Sequence, residues 1–130
     1  MTDSAVVDAS AMVDVLIDNE RAAAVHDRLS SLELHSPAHF DSEVLSAFGR
    51  LHRAGEISAP DVSENLDYLA AAPIERHSLP LLLTDVWRRR ESLRLVDALY
   101  VALAERLSAV LVTTDAALAR AYDGAEFPQP

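Results

Sequence analysis

Two short apolar runs, each ending in an aspartate, constrain this chain most. Ala5-Val6-Val7 stops at Asp8, and Val110-Leu111-Val112-Thr113-Thr114 stops at Asp115. Runs this short suit strands buried on both faces, as in parallel sheets whose crossovers are helices. Between them the apolar pattern shifts to helical periods. The order read from the chain is a strand at 5–7, helices over 9–18 and 21–29, and a strand at 32–35. Helices over 37–54 and 60–71, a strand at 74–77 and helices over 81–89 and 93–107 come next. A strand at 109–113, a helix over 115–122 and an edge strand at 125–127 complete it. Ser36-Pro37 reads as an N-cap followed by proline at the first helical position, and Gly55 as the glycine that closes the same helix. This alternation predicts an α/β fold, with a mostly parallel four- or five-stranded sheet and helices on both faces. Sites in such sheets lie beyond the carboxyl ends of the strands, where Asp8 and Asp115 fall.

Composition removes whole classes of chemistry. The 130 residues include no cysteine, so thiol nucleophiles, thiolate metal sites and disulfides are excluded. All 11 basic residues are arginine, which excludes Schiff-base catalysis and a P-loop lysine. Three scattered glycines, Gly49, Gly55 and Gly124, cannot form a phosphate-cradling loop. The net charge of −10 argues against a broad phosphate-binding surface but leaves room for local positive charge from a metal. No basic, apolar leader and no apolar run of membrane length stands in the sequence, so a soluble cytoplasmic protein is expected.

Position separates four of the 21 acids from ordinary solvated charge. Asp8 and Asp115 both end strands, and each alone could be only an N-cap. Glu43 lies about 60° from Phe40 and about 40° from Ala47 on a helical wheel, at the border of an apolar stripe. Asp97 shares its face with Leu93, Tyr100, Val101 and Ala104 on a helix that is apolar almost all round. A carboxylate there is costly unless it is paired or bound to a cation. Convergence of the four would raise their pKa values, and a hard divalent cation would relieve the repulsion. The residues by themselves reach an acidic metal site and no further.

Four local sequences extend this reading. Val6-Val7-Asp8-Ala9-Ser10, Pro37 followed by Glu43-Val44, Asp97-Ala98-Leu99-Tyr100-Val101-Ala102-Leu103-Ala104 and Val112-Thr113-Thr114-Asp115 occur in order along the chain. Together they resemble the PIN-domain ribonucleases, and within them the VapC toxins of bacterial toxin–antitoxin pairs. The resemblance implies a single PIN domain over 1–130 with a three-layer architecture. It implies that Asp8 and Asp97 are direct ligands of Mg²⁺, for which Mn²⁺ substitutes, and that Glu43 and Asp115 act directly or through water. Ser10 and Thr113 match hydroxyl positions that support the pocket. The implied reaction is endonucleolytic hydrolysis of RNA, tRNA or rRNA, by water activated at the carboxylate-held metal. The implied partners are a VapB-type antitoxin that covers the site, a second copy of the chain in a homodimer, and a heterotetramer or larger assembly with antitoxin. No fifth acid stands just after Asp115, where Ala116-Ala117-Leu118 lie, and the number of metals is left open.

Arg88, Arg89, Arg90 and Arg94 form the only basic cluster, beside Trp87. It reads either as an RNA contact with Trp87 as a stacking surface or as a solvated helix end with Trp87 in the core. The five histidines show no zinc spacing. A receiver domain would need a lysine, and a haloacid-dehalogenase-type phosphatase a second aspartate where Ser10 stands. The remaining alternative is a PIN-like binding module that no longer cuts.

Overall fold

The computed structural model describes residues 3–130. β1 (Ser4–Val7) is the centre of a five-stranded sheet with order β3-β2-β1-β4-β5, formed with β2 (Glu33–Pro37), β3 (Ile74–His77), β4 (Val110–Val112) and β5 (Ala125–Glu126). Every pairing is parallel. Ala5, Val6 and Val7 point alternately to the two faces, yet all three are fully buried. Both faces are therefore covered, as a sheet built from helical crossovers requires. Each such valine contributes about 1.5–3 kcal/mol by leaving water.

The helices are α1 (Ala9–Ile17), α2 (Ala22–Leu29), α3 (Phe40–Arg53), α4 (Ala59–Ala71), α5 (Leu83–Arg88), α6 (Leu95–Leu107) and α7 (Ala116–Ala121). A 3₁₀ turn over Pro80–Leu82 leads into α5. α6 packs across β1, β2 and β4. Residues Ala98 through Ala104 are all buried, which explains why this helix is apolar all round. α1 packs against α2 and α3.

One expected boundary is corrected. Ser36 and Pro37 end β2 instead of opening α3, which starts at Phe40 after an N-cap, His39, that makes no side-chain cap bond. The Ser36 hydroxyl is buried and donates to the Val7 carbonyl at 2.6 Å, so it ties β2 to β1. Pro37 is tolerated because the β1–β2 ladder has ended at Val6↔His35 and the next amide, Ala38, donates to His77. The far end of α3 is as expected. Gly55 has φ +76°, its amide donates to His52, and the Glu56 amide donates to Leu51, the pairing of a Schellman closure.

Strand order sets the place of the site. β1 connects forward to β2 on one side and receives β4 on the other. This reversal opens a crevice at the carboxyl ends of β1 and β4, where Asp8 and Asp115 emerge.

Candidate active site

A cavity of about 750 Å³ opens at that crevice. Asp8, Glu43, Asp97 and Asp115 all line it, from the end of β1, α3, α6 and the turn after β4 respectively. Ser10 and Arg94 line it as well. Thr113 lies behind Asp8 and is fully buried.

Asp8 is held most firmly. It is the N-cap of α1, and its Oδ1 accepts from the Ala11 amide at 3.0 Å and the Ser10 hydroxyl at 2.8 Å. Its Oδ2 accepts from the Thr113 hydroxyl at 2.5 Å. With two acceptor positions per oxygen, Oδ2 alone keeps one free. The residue is only 4 % exposed. Burial pushes its pKa up from 3.8 to about 6, against the lowering pull of the Thr113, Ala11 and Ser10 hydrogen bonds, and the charge of Asp115 adds to the rise. The carboxylate is thus fixed, desolvated and short of positive charge.

Asp115 repeats the arrangement. It caps α7 through Oδ1, which accepts from the Ala117 and Leu118 amides. Its own amide donates to Thr113, and the Thr114 amide donates to Ser10. Ser10 and Thr113, 3.3 Å apart, join the two strand-end aspartates into one network.

Glu43 is positioned by two residues that the sequence does not single out. Tyr100 donates its hydroxyl to Oε1 at 2.5 Å, and His39 Nε2 lies 3.3 Å from the same oxygen. His39 Nε2 is also 3.0 Å from the Val96 carbonyl, so with acceptors on both sides it carries the proton. Burial acts to raise the Glu43 pKa, but the hydrogen bonds from His39 and Tyr100, with the charges of His39 and Arg94, outweigh it and leave the carboxyl below its ordinary value. For Tyr100, burial and the Glu43 contact push the phenol well up, so it stays a donor. The available signal is spacing: Tyr100 follows Asp97 by three residues on one helical face, and His39 precedes Glu43 by four.

Asp97 sits in the first turn of α6, and Arg94, the residue preceding that helix, grips it with two bonds: Nε to Oδ2 at 2.9 Å and Nη2 to Oδ1 at 3.2 Å. That hydrogen bond and the Asp97 charge raise the Arg94 pKa, and Asp115 and Glu43 add to it. The guanidinium is therefore a positive charge within the field of three of the four acids. The other three members of the basic cluster lie outside the cavity. Arg88 is exposed, Arg89 bonds Asp85, and Arg90 lies over the ring of Trp87, which is 59 % exposed and not in the core.

The donor set suits a hard cation. All four groups are carboxylates, one of them buried and undercompensated, and the chain already directs its own guanidinium at them. No three of the four bring ligand oxygens within 4.8 Å of one another; among the described residues only His35, Glu75 and His77 do so.

The PIN domain family profile matches residues 5–124. The chain belongs to the PIN-domain family. Within it, the chain is 53% identical to Ribonuclease VapC3 of Mycobacterium tuberculosis over 92% of its own length and 88% of that protein. It is 33% identical to Ribonuclease VapC12 of the same organism, over 90% of this chain and 91% of the relative. These identities place this PIN domain in the VapC ribonuclease group. The crystal structure of PAE2754 from Pyrobaculum aerophilum superposes with a TM-score of 0.74 at 25% identity, covering 95% of this chain and 82% of that one. Among the described residues of this PIN domain, no helix is long and apolar enough to cross a membrane.

Proposed function

We propose that this VapC-group protein is an Mg²⁺- or Mn²⁺-dependent endoribonuclease that acts as the toxin of a toxin–antitoxin pair. One observation carries the proposal: four carboxylates from four separate elements line one cavity, and the most deeply buried of them lacks a compensating charge. Asp8 and Asp97 are the proposed direct ligands, with Glu43 and Asp115 acting directly or through water. The metal ion, when bound, supplies positive charge against the phosphodiester oxygens and makes water more acidic.

The chain's own residues do the rest. Ser10, Thr113 and the Ala11 amide hold both oxygens of Asp8 in place, which limits the side-chain movement that an in-line attack would otherwise have to overcome. His39 and Tyr100 keep Glu43 ionised at neutral pH and engage its Oε1, leaving Oε2 to accept a proton from water. Arg50 and Arg94 line the same cavity and are the proposed phosphate contacts, ahead of Arg88, Arg89 and Arg90, which lie outside it. RNA of the tRNA or rRNA class is the proposed substrate.

A VapB-type antitoxin is the proposed inhibitor. The two-bond grip of Arg94 on Asp97 is the contact that an arginine inserted by a partner would copy. Leu81, Leu83 and Trp87, all more than half exposed, offer an apolar surface for the proposed homodimer. Membership of 1–130 in a single PIN domain is part of the same proposal.

The test is cleavage of a total-RNA pool by purified protein with Mg²⁺, Mn²⁺ or EDTA, beside an Asp8→Asn control. Discrete metal-dependent cuts absent from the control support the proposal. Absence of cuts, or cuts shared by the control, returns the chain to the reading of a silent PIN-like binding module.

A further inference from the structure

Outside the acidic cavity, the sheet brings together a second set of metal-ligating atoms. His35 on β2 and Glu75 on β3 are register partners, so their side chains share a face. His77, two residues beyond Glu75, lies on that same face. His35 Nδ1 is 2.9 Å from His77 Nε2 and 3.3 Å from Glu75 Oε2, and His77 Nε2 is 3.9 Å from the same Oε2. The three atoms form a triangle. A tetrahedral ion with ligands at 2.0–2.1 Å would require edges of about 3.3–3.4 Å. The sides observed straddle that value.

Two imidazole nitrogens and a carboxylate oxygen converge on one small region, where one proton now joins the two histidines; a cation would take that proton's place and engage all three atoms as ligands. The His35 and His77 side chains are largely buried, 13 % and 24 % exposed, whereas Glu75 is 67 % exposed. The site is thus anchored on the sheet and open on the solvent side. Its backbone is already fixed, because β2 and β3 pair from Leu34↔Ile74 to Pro37↔His77.

We propose that His35, Glu75 and His77 form a binding site for a borderline divalent cation of the Zn²⁺ class, distinct from the acidic cavity. Two imidazoles and one carboxylate suit Zn²⁺ and not Mg²⁺, which prefers an all-oxygen shell. Three protein ligands leave one tetrahedral position for water or for a donor from another molecule. The bound ion would cross-link edge strand β3 to β2, a role in stability and not in RNA cleavage. Spacing along the chain conceals the site, because His35 and His77 are 42 residues apart and meet only through strand pairing.

The experiment is calorimetric titration of the full chain with Zn²⁺ in the presence of excess Mg²⁺. It is run for the wild type, His77→Gln, Glu75→Gln and an Asp8→Asn/Asp97→Asn double variant, with far-UV circular dichroism confirming that each is folded. Expected are one Zn²⁺ per wild-type chain, binding retained in the double aspartate variant, and a loss of at least about tenfold in affinity in His77→Gln and in Glu75→Gln. Three results each overturn the proposal: no Zn²⁺ binding by the wild type, unchanged affinity in folded His77→Gln, or loss of binding in the double aspartate variant alone.

Discussion

Replacing Asp8 by asparagine should stabilise the metal-free protein while abolishing its activity. The carboxyl is 4 % exposed, and burial raises its pKa from 3.8 to about 6. Its folded form therefore binds a proton more tightly than its unfolded form. Below about pH 4 both states are protonated and there is no penalty. Between pH 4 and 6 the unfolded chain ionises first, and stability falls as pH rises. Above pH 6 the full penalty applies, ~3 kcal/mol at about 1.36 kcal/mol per pKa unit. Asparagine cannot ionise, so it escapes that penalty. It can keep the cap to Ala11 and the bond from Ser10 through its carbonyl. Its amide would then meet the Thr113 hydroxyl, which must turn from donor to acceptor and already accepts from the Asp115 amide, so part of the gain is lost. A net stabilisation of about 1–2 kcal/mol at neutral pH is expected, shrinking towards pH 4. Urea unfolding of both proteins in EDTA, repeated across this pH range, measures it. A less stable Asp8→Asn protein at neutral pH, or a difference that does not vary with pH, would refute the reasoning. If Asp8 is a direct ligand as proposed, added Mg²⁺ should raise the stability of the wild type more than that of Asp8→Asn.

Three further substitutions probe the neighbours. Tyr100→Phe removes a donor that holds the Glu43 carboxyl below its ordinary value, so the acid limb of the pH–rate profile should move to higher pH, with a stability loss of about 1 kcal/mol by thermal melting. Arg94→Gln removes the cation that competes for Asp97, so the melting-temperature rise at a fixed low Mg²⁺ concentration should grow. Its effect on metal-free stability should stay under about 1 kcal/mol, because the arginine side chain is 72 % exposed. Ser36→Ala deletes a buried hydroxyl that ties β2 to β1 and should cost about 1–2 kcal/mol in urea unfolding.

The pattern of strands and helices is legible in the sequence because each run is short and bounded, and because Asp8, Asp115 and Gly55 are local signals with local causes. The start of α3 misleads for a physical reason. Ser36-Pro37 has the local signature of a helix start, but the strand ladder with β3 and the buried bond to Val7 outweigh it. Asp97 is legible as a carboxylate on an apolar face, whereas its partner Arg94 looks like part of a surface cluster. Tyr100 passes for a core aromatic, because whether a phenol meets a carboxylate depends on a helix crossing that no single segment specifies. The same limit hides His35 and His77, whose meeting depends on which strand lies beside which.

The central position of β1 has a consequence for timing. Its partner β4 arrives only after residue 109, and the contact of Asp8 with Thr113 spans 105 residues. Closing so long a loop is entropically costly and gives the sheet a high contact order. During synthesis, a chain that has not yet reached residue 110 has β1, β2 and three of the four acids, but no β4, no Thr113 and no Asp115. The cavity is therefore among the last features to form, and the four acids share one crevice only once the sheet closes.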